Sequence, residues 1–369
     1  MKLILAFFTI LFGASFANAQ AVFTGYEHLF TIPLSYKIYQ TKDALKMDGI
    51  LNESSWKAAT WSAPFVDIEG DKKPLPRYNT RFKMLWDKHN LYIAAELEEP
   101  HIWSYLSQRD TIVYHDNDFE VFIDPDGDSH NYFEIEVNAL KNVFDLFMKR
   151  PYRNGGRASF NWNVENLAVG VHIDGTLNRP IDRDKKWVVE MEIPFKSLSL
   201  GDTSQVPVHN SVWRLNFSRV EWDTEIINNR YVKKKDAKTG KPLPEHNWVW
   251  SPQGVINMHY PERWGYVQFI ENPPAKVVSS FHVPVSEEVK KLLWLTYYKQ
   301  QHFHAFKKSF ARSLNELAIS NDEYKIGNGR YLLALESTAH AFEATIKDKE
   351  TGKGWRINHD GLLSNIKVN

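Results

Sequence analysis

No cysteine occurs in the 369 residues. That excludes disulfides, thiolate metal sites, a cysteine nucleophile and an acylated N-terminal cysteine. The fold must therefore be held by its core, with bound ions as the available reinforcement. The chain also lacks net charge, with 45 basic residues against 45 acidic ones. No basic field marks a nucleic-acid partner. Gly-x-Ser-x-Gly nucleophile motifs are absent, as are internal repeats and low-complexity tracts. Long apolar runs are missing too. Only Leu3 to Phe12 approaches one, and a membrane-spanning helix needs about 20 residues. No transmembrane segment is expected.

That short run suits another purpose. Lys2 supplies a positive start, the apolar stretch follows, and Ala17-Asn18-Ala19 gives a small-residue cleavage pattern. Residues 1–19 are predicted to be a secretory signal peptide, cut after Ala19. The protein is expected to be exported and soluble, in the periplasm, at the cell surface or in the medium of a bacterium. Aromatic residues are abundant, at 14% with 13 tryptophans. They fit an aromatic-rich β core, and rings that stack on flat ligands such as sugars.

From Tyr36 to Ile270 the chain alternates short strand-like segments with Gly, Pro, Asn and Asp turns. Examples are "RFKMLWD" (81–87), "LYIAAELEE" (91–99), "DFEVFID" (118–124), "NYFEIEVN" (131–138), "VFDLFM" (143–148), "LAVGVHID" (167–174), "WVVEMEIPF" (187–195), "VWRLNFSRVEW" (212–222) and "WGYVQFI" (264–270). The pattern predicts a mainly β fold, an antiparallel β-sandwich. "NESSWKAA" (52–59) is a short helix candidate. "ENPPAK" (271–276) marks a boundary, and 277–369 reads as an α+β extension. There, residues 286–319 carry apolar side chains at helical spacing, with Ser286 as the N-cap and Glu287 and Glu288 in the first turn. "RYLLALES" and "FEATIKDKETGKGWRIN" read as strands joined by a hairpin. The helix carries apolar residues on more than one side, so 286–319 is a candidate surface for a protein partner or for self-association. His302 and His304 are two apart and do not form a zinc pair.

Residues 114–138, "YHDNDFEVFIDPDGDSHNYFEIEVN", contain eight carboxyl side chains. Strand periodicity separates them. Glu120, Glu134, Glu136 and Asn138 share one face, opposite the apolar set of Phe119, Val121, Ile123, Phe133, Ile135 and Val137. That polar face is either solvated sheet surface or a platform for a polar ligand. Asp124, Asp126 and Asp128 alternate through a Pro-Asp-Gly turn. They read either as a solvated acidic rim or as a structural Ca²⁺ site, because Ca²⁺ takes six to eight oxygen ligands. The loop is not an EF-hand, since its twelfth position is Ile135. A third option pairs Glu120 and Glu136 as the acid–base carboxyls of a glycoside hydrolase.

Several segments together resemble family 9 carbohydrate-binding modules and their DOMON-like relatives. They are "MDGILNESSWKAA" (47–59), "MLWDKHNLYIAAELEEP" (84–100), "DNDFEVFIDPDGD", "FEIEVN", "WVVEMEIPFKSL" and "PERWGYVQF", in that order. The similarity covers residues 36–270. It implies a β-sandwich with structural Ca²⁺ that binds glycan ends in a shallow slot without cleaving them. Carried over by position, the family's ligand-binding Glu falls on Glu120 and its Asn on Asn138. Its Arg falls on Glu136, with the charge reversed. Its first stacking Trp falls near Tyr114 and its second on Met258, with His259 and Tyr260 as the alternative rings there. Arg219 or Arg109 would restore the missing cation, and Trp103, Trp162, Trp222 and Trp250 are alternative platforms. The leading expectation is an exported, non-catalytic carbohydrate-binding protein serving polysaccharide breakdown or uptake. A degenerate sandwich serving protein assembly at the cell surface is the further alternative.

Overall fold

Alternation of apolar and polar residues produces most of the strands, and Asn, Asp and Gly at positive φ produce many of the turns between them. The computed structural model describes residues 22–199, 206–271, 281 and 283–366. The expected signal segment lies outside the described residues, as does most of the expected Pro-Pro boundary. The chain divides into two units.

The larger unit, Ile32–Phe281, is the sandwich. Its elements are β1 (Ser35–Gln40), α1 (Ser54–Ala58), β2 (Val66–Asp67), β3 (Thr80–Trp86), β4 (Asn90–Glu98), β5 (Asp118–Asp124), β6 (Tyr132–Asn138), β7 (Val143–Met148), β8 (Ala158–Ser159), β9 (Ala168–Asp174) and β10 (Lys186–Pro194). These are followed by β11 (Val212–Glu221), β12 (Thr224–Ile227), β13 (Arg230–Lys233), β14 (His246–Val249) and β15 (Gly265–Ile270). One curled sheet runs β8-β7-β6-β5-β11-β15-β1-β3-β4-β10-β9. The expected antiparallel pairing holds except at β1, which runs parallel to both β15 and β3. The long strand β11 pairs with β5 along one edge. Along its other edge β15 takes the first half and β14 the second.

The interior is as aromatic as the composition suggests. Phe82 lies 4.0 Å from Phe217 and 5.1 Å from Trp250 between ring centroids. Trp250 packs so tightly over β15 that a Cβ on Gly265 would stand 2.2 Å from its ring.

β5 and β6 are buried on both faces, which overturns the solvated-face reading of the acidic hairpin. Phe119, Val121, Ile123, Phe133, Ile135 and Val137 enter the sandwich core. On the other face Phe122, Tyr132, Phe144, Leu146, Met148, Met258 and Trp264 form a second apolar layer.

The smaller unit comprises residues 22–31 and 283–366 among those described. Its helix α2 (Val285–Lys307) packs against a five-stranded meander in sequence order, β16 (Glu323–Ile326), β17 (Gly329–Ser337), β18 (Phe342–Asp348), β19 (Gly354–Asn358) and β20 (Leu363–Ile366). The helix is shorter than the apolar spacing predicts. It stops where Lys308 turns left-handed at φ 58°, and Leu314 and Leu317 lie in and beside a 3₁₀ turn. Ser286 does not cap it. Pro284 holds that position without a side-chain bond, and Ser286 sits in the first turn.

Candidate functional site

The polar face of β5 and β6 floors a cleft of about 430 Å³. Register builds that floor. Glu120 stands directly opposite Glu136, and Phe122 opposite Glu134. Phe144 and Leu146 extend it along β7, while segments around Ile112, Tyr152, Phe160, Glu245 and Ile256 supply walls. The cleft therefore draws residues from far-separated parts of the chain onto one rigid sheet, the usual arrangement of a ligand site.

Five of the residues singled out in the sequence meet here: Tyr114, Glu120, Glu136, Met258 and His259. The Tyr114 backbone N–H donates to Glu136 Oε2 at 2.9 Å, and its carbonyl accepts the Trp222 indole N–H at 2.8 Å. Met258 Sδ accepts from Gln253 Nε2, and the Met258 carbonyl accepts from the Trp264 indole. His259 Nδ1 pairs with the Tyr132 hydroxyl at 2.9 Å. Tyr152 stands edge-on to the His259 ring, with centroids 4.5 Å apart.

The other named residues lie elsewhere. Asn138 is spent on local structure. Its amide donates to the Leu106 carbonyl and to Asp116, and its oxygen accepts from the Leu140 and Asn142 backbones. Arg219 is fully buried and uses all five N–H groups on Glu221, Glu99, Thr80 and the Glu98 carbonyl. Asn117 bridges the same two carboxylates. Arg109 grips Asp145 and Asn163. Trp250 belongs to the sandwich core. Trp103 and Trp222 cluster with Val220 and Tyr231, and Trp162 packs on Phe133.

Sequence reasoning left out of its site Glu134, Glu245, Tyr152, Phe160, Asn247 and Asn257, all of which line the cleft. Glu134 was legible as a member of the polar face. Tyr152 and Phe160 carried a weaker signal, two aromatics in the Gly-rich loop "PYRNGGRASF"; both are exposed.

The electrostatics of the floor are unusual. One oxygen each from Asp118, Glu120 and Glu136 lies within 4.8 Å of the others. Burial pushes Glu120 up to about 7. Burial, with Glu120 alongside, pushes Glu134 up to about 8. Asp118 and Glu136 are also driven well upward, by burial first and neighbouring carboxylates second. Burial and the nearby Arg153 push His259 down to about 3, so its imidazole is neutral. These are the shifts expected of like charges crowded in a low dielectric.

Oxygens of Asp124, Asp126 and Asp128 form a second close group, also within 4.8 Å of one another. Asp124 is buried and accepts the Gly127 and Ser129 N–H groups; Asp128 accepts that of His130. The buried Ser129 Oγ has no hydrogen-bond partner among the described residues. An all-oxygen set of this kind, in a loop turned by Gly127 at φ 68°, fits a hard cation such as Ca²⁺.

Residues 47–267 match the model of the family described as "Carbohydrate family 9 binding domain-like". Among solved structures, a protein from Bacteroides uniformis ATCC 8492 matches at 15% identity, with a TM-score of 0.45, over 64% of this chain and 99% of that one. A family 9 carbohydrate-binding module from Caldicellulosiruptor kristjanssonii, solved with cellotriose, matches at 16% identity and a TM-score of 0.39, over 67% of this chain and 100% of that one. The same organism's module solved with glucose matches at 16% and 0.37, over 68% and 100%. No curated protein matches the chain.

Proposed function

The chain belongs to the carbohydrate family 9 binding domain-like family, and on that premise we propose that its cleft binds the end of a glycan or oligosaccharide without cleaving it. The observation that carries this reading is the convergence of Tyr114, Glu120, Glu136, Met258 and His259 on one cleft. Carboxyl groups accept hydrogen bonds from sugar hydroxyls, and in protonated form they also donate. Asn247 and Asn257 add amide groups. Tyr114, Tyr152 and Phe160 offer apolar surface to the C–H faces of a ring. Each contact exchanges a water hydrogen bond for a protein one, so affinity is weak to moderate.

A hydrolase reading fits less well. Glu120 and Glu136 are cross-strand neighbours on one floor, whereas glycosidase carboxyls flank the scissile bond about 5–10 Å apart. We propose in addition that Asp124, Asp126 and Asp128 hold a structural Ca²⁺. The protein would be exported through residues 1–19 and would serve polysaccharide breakdown or uptake. N-terminal sequencing of the exported protein is expected to begin at Gln20; retention of Met1 would remove export by this segment.

Calorimetric titration with glucose, cellotriose and a broader oligosaccharide panel, in Ca²⁺, tests the reading. Binding is expected, weakened about tenfold by Glu120→Gln, in line with roughly 1.5 kcal/mol for a hydrogen bond to a charged group. Silence across the panel would discard the carbohydrate reading, and turnover of chromogenic glycosides lost in Glu120→Gln would restore the hydrolase.

A further inference from the structure

Glu120, Glu134, Glu136 and Glu245 all line the cleft, and among its described lining residues there is no lysine or arginine. Asp118 lies with them at the floor. Two oxygens in this group have no hydrogen-bond partner among the described residues, Glu134 Oε2 and Asp118 Oδ2. The Glu134 side chain is only 6% exposed, and its oxygen lies 3.8 Å from His259 Nε2. That is beyond hydrogen-bond reach, and the imidazole is uncharged, so it supplies no counter-ion. Lys233 lies over the Trp222 ring, 3.3 Å away and outside the lining, and its charge is felt at Asp118 and Glu245, while Glu134 has no cation of its own among the described residues. Buried carboxyls without partners are costly. Without ligand a bound proton relieves them; a cationic ligand can take that proton's place and pair with the carboxylates.

A metal ion and an organic ammonium make different demands, and the walls distinguish them. Asp118, Glu120 and Glu136 gather oxygens for a hard ion on one side, but such an ion wants them on all sides, and Ile112, Phe144, Leu146, Phe160 and Ile256 bring apolar side chains to the lining. Carboxylates facing aromatic rings across a cavity of this size suit an ammonium carried on a larger body, which gains charge pairing and cation–π contact together.

We propose that the cleft selects a carbohydrate bearing a protonated amine, with the ammonium among Glu120, Glu134 and Glu136 and the sugar body against Tyr114, Tyr152 and Phe160. This rests on the carbohydrate reading above and specifies its substrate class.

The test is calorimetric titration of the full protein at pH 6.5 with glucosamine, N-acetylglucosamine and glucose, and with the corresponding trimers. The amine is expected to bind at least tenfold tighter than either uncharged partner, and the margin to shrink as salt rises. In Glu134→Gln and Glu136→Gln the ratio of the two affinities is expected to fall towards one. Glu245→Gln, at a half-buried wall position, gives the same readout should a floor variant fail to fold. Equal binding of all three sugars would overturn the amine and leave the carbohydrate reading standing. Binding of none would remove both. Uncharged sugars bound only with Ca²⁺, a requirement abolished by Glu136→Gln and kept by Asp126→Asn, would overturn the amine in favour of a metal.

Discussion

Glu136 faces Glu120 across a strand pair, with Glu134 and Asp118 close by, all of them buried. Burial raises two carboxyls on this floor, Glu120 to about 7 and Glu134 to about 8. A carboxyl raised in the folded state binds a proton that the unfolded chain has already lost, so its contribution to stability is fully present below the unfolded value, near 4.5. It disappears as pH climbs through 7 to 8. Melting temperature without ligand is therefore expected to fall between pH 5.5 and 8.5, and Glu120→Gln to flatten that fall. A melting temperature that rises over the same interval would contradict the account.

Single-residue errors in the sequence reading have physical causes. Arg219 shares its strand parity with Leu215 and Phe217, and it pairs opposite Phe119, a core residue. Its parity pointed inward, away from Glu120, whose partner is Ser218. Arg219 lies buried because Glu99 and Glu221 accompany it, from β11 and the end of β4. Glu221 is only two residues away on the same strand, but Glu99 is distant in sequence, so no local pattern announced the full set of partners. Asn138 was correctly placed on the polar face, but the loop bonds that occupy its amide depend on tertiary folding.

At the scale of elements, the strands most legible in sequence were those of six or more residues, because period-two alternation needs length to be read. β14 has four residues and β2 has two, too few to show a period, yet β14 helps carry the wall containing Glu245 and Asn247. The parallel pairing of β1 was illegible, since parallel and antiparallel partners are set by chain topology. Apolar spacing continued past α2 through Phe310, Leu314 and Leu317, but those side chains are packed from turns. The β5–β6 hairpin carries the element-level test. Ca²⁺ is expected to raise the melting temperature and EDTA to lower it, by about 2.7 kcal/mol of binding free energy at a hundredfold excess over Kd. Asp126→Asn, at an exposed position, is expected to abolish the response. A melting curve indifferent to Ca²⁺ and EDTA would remove the ion from this loop.

At the scale of the molecule, the described residues contain no helix long and apolar enough to cross a membrane. The unit that carries the cleft also carries every residue named for the ligand. The family was legible from the order and spacing of motifs across residues 36–270, although single motifs were weak. The cleft itself was not legible as a cavity. Its walls come from loops whose positions depend on how the curled sheet closes. The central claim is that the floor of β5 and β6 is where sugar binds. A crystal structure of the protein soaked with glucosamine tests it most directly. The account expects one ring over Glu120 and Glu136, beside Tyr114. Clear density for the sugar elsewhere on the protein, with this cleft filled only by water, would contradict it.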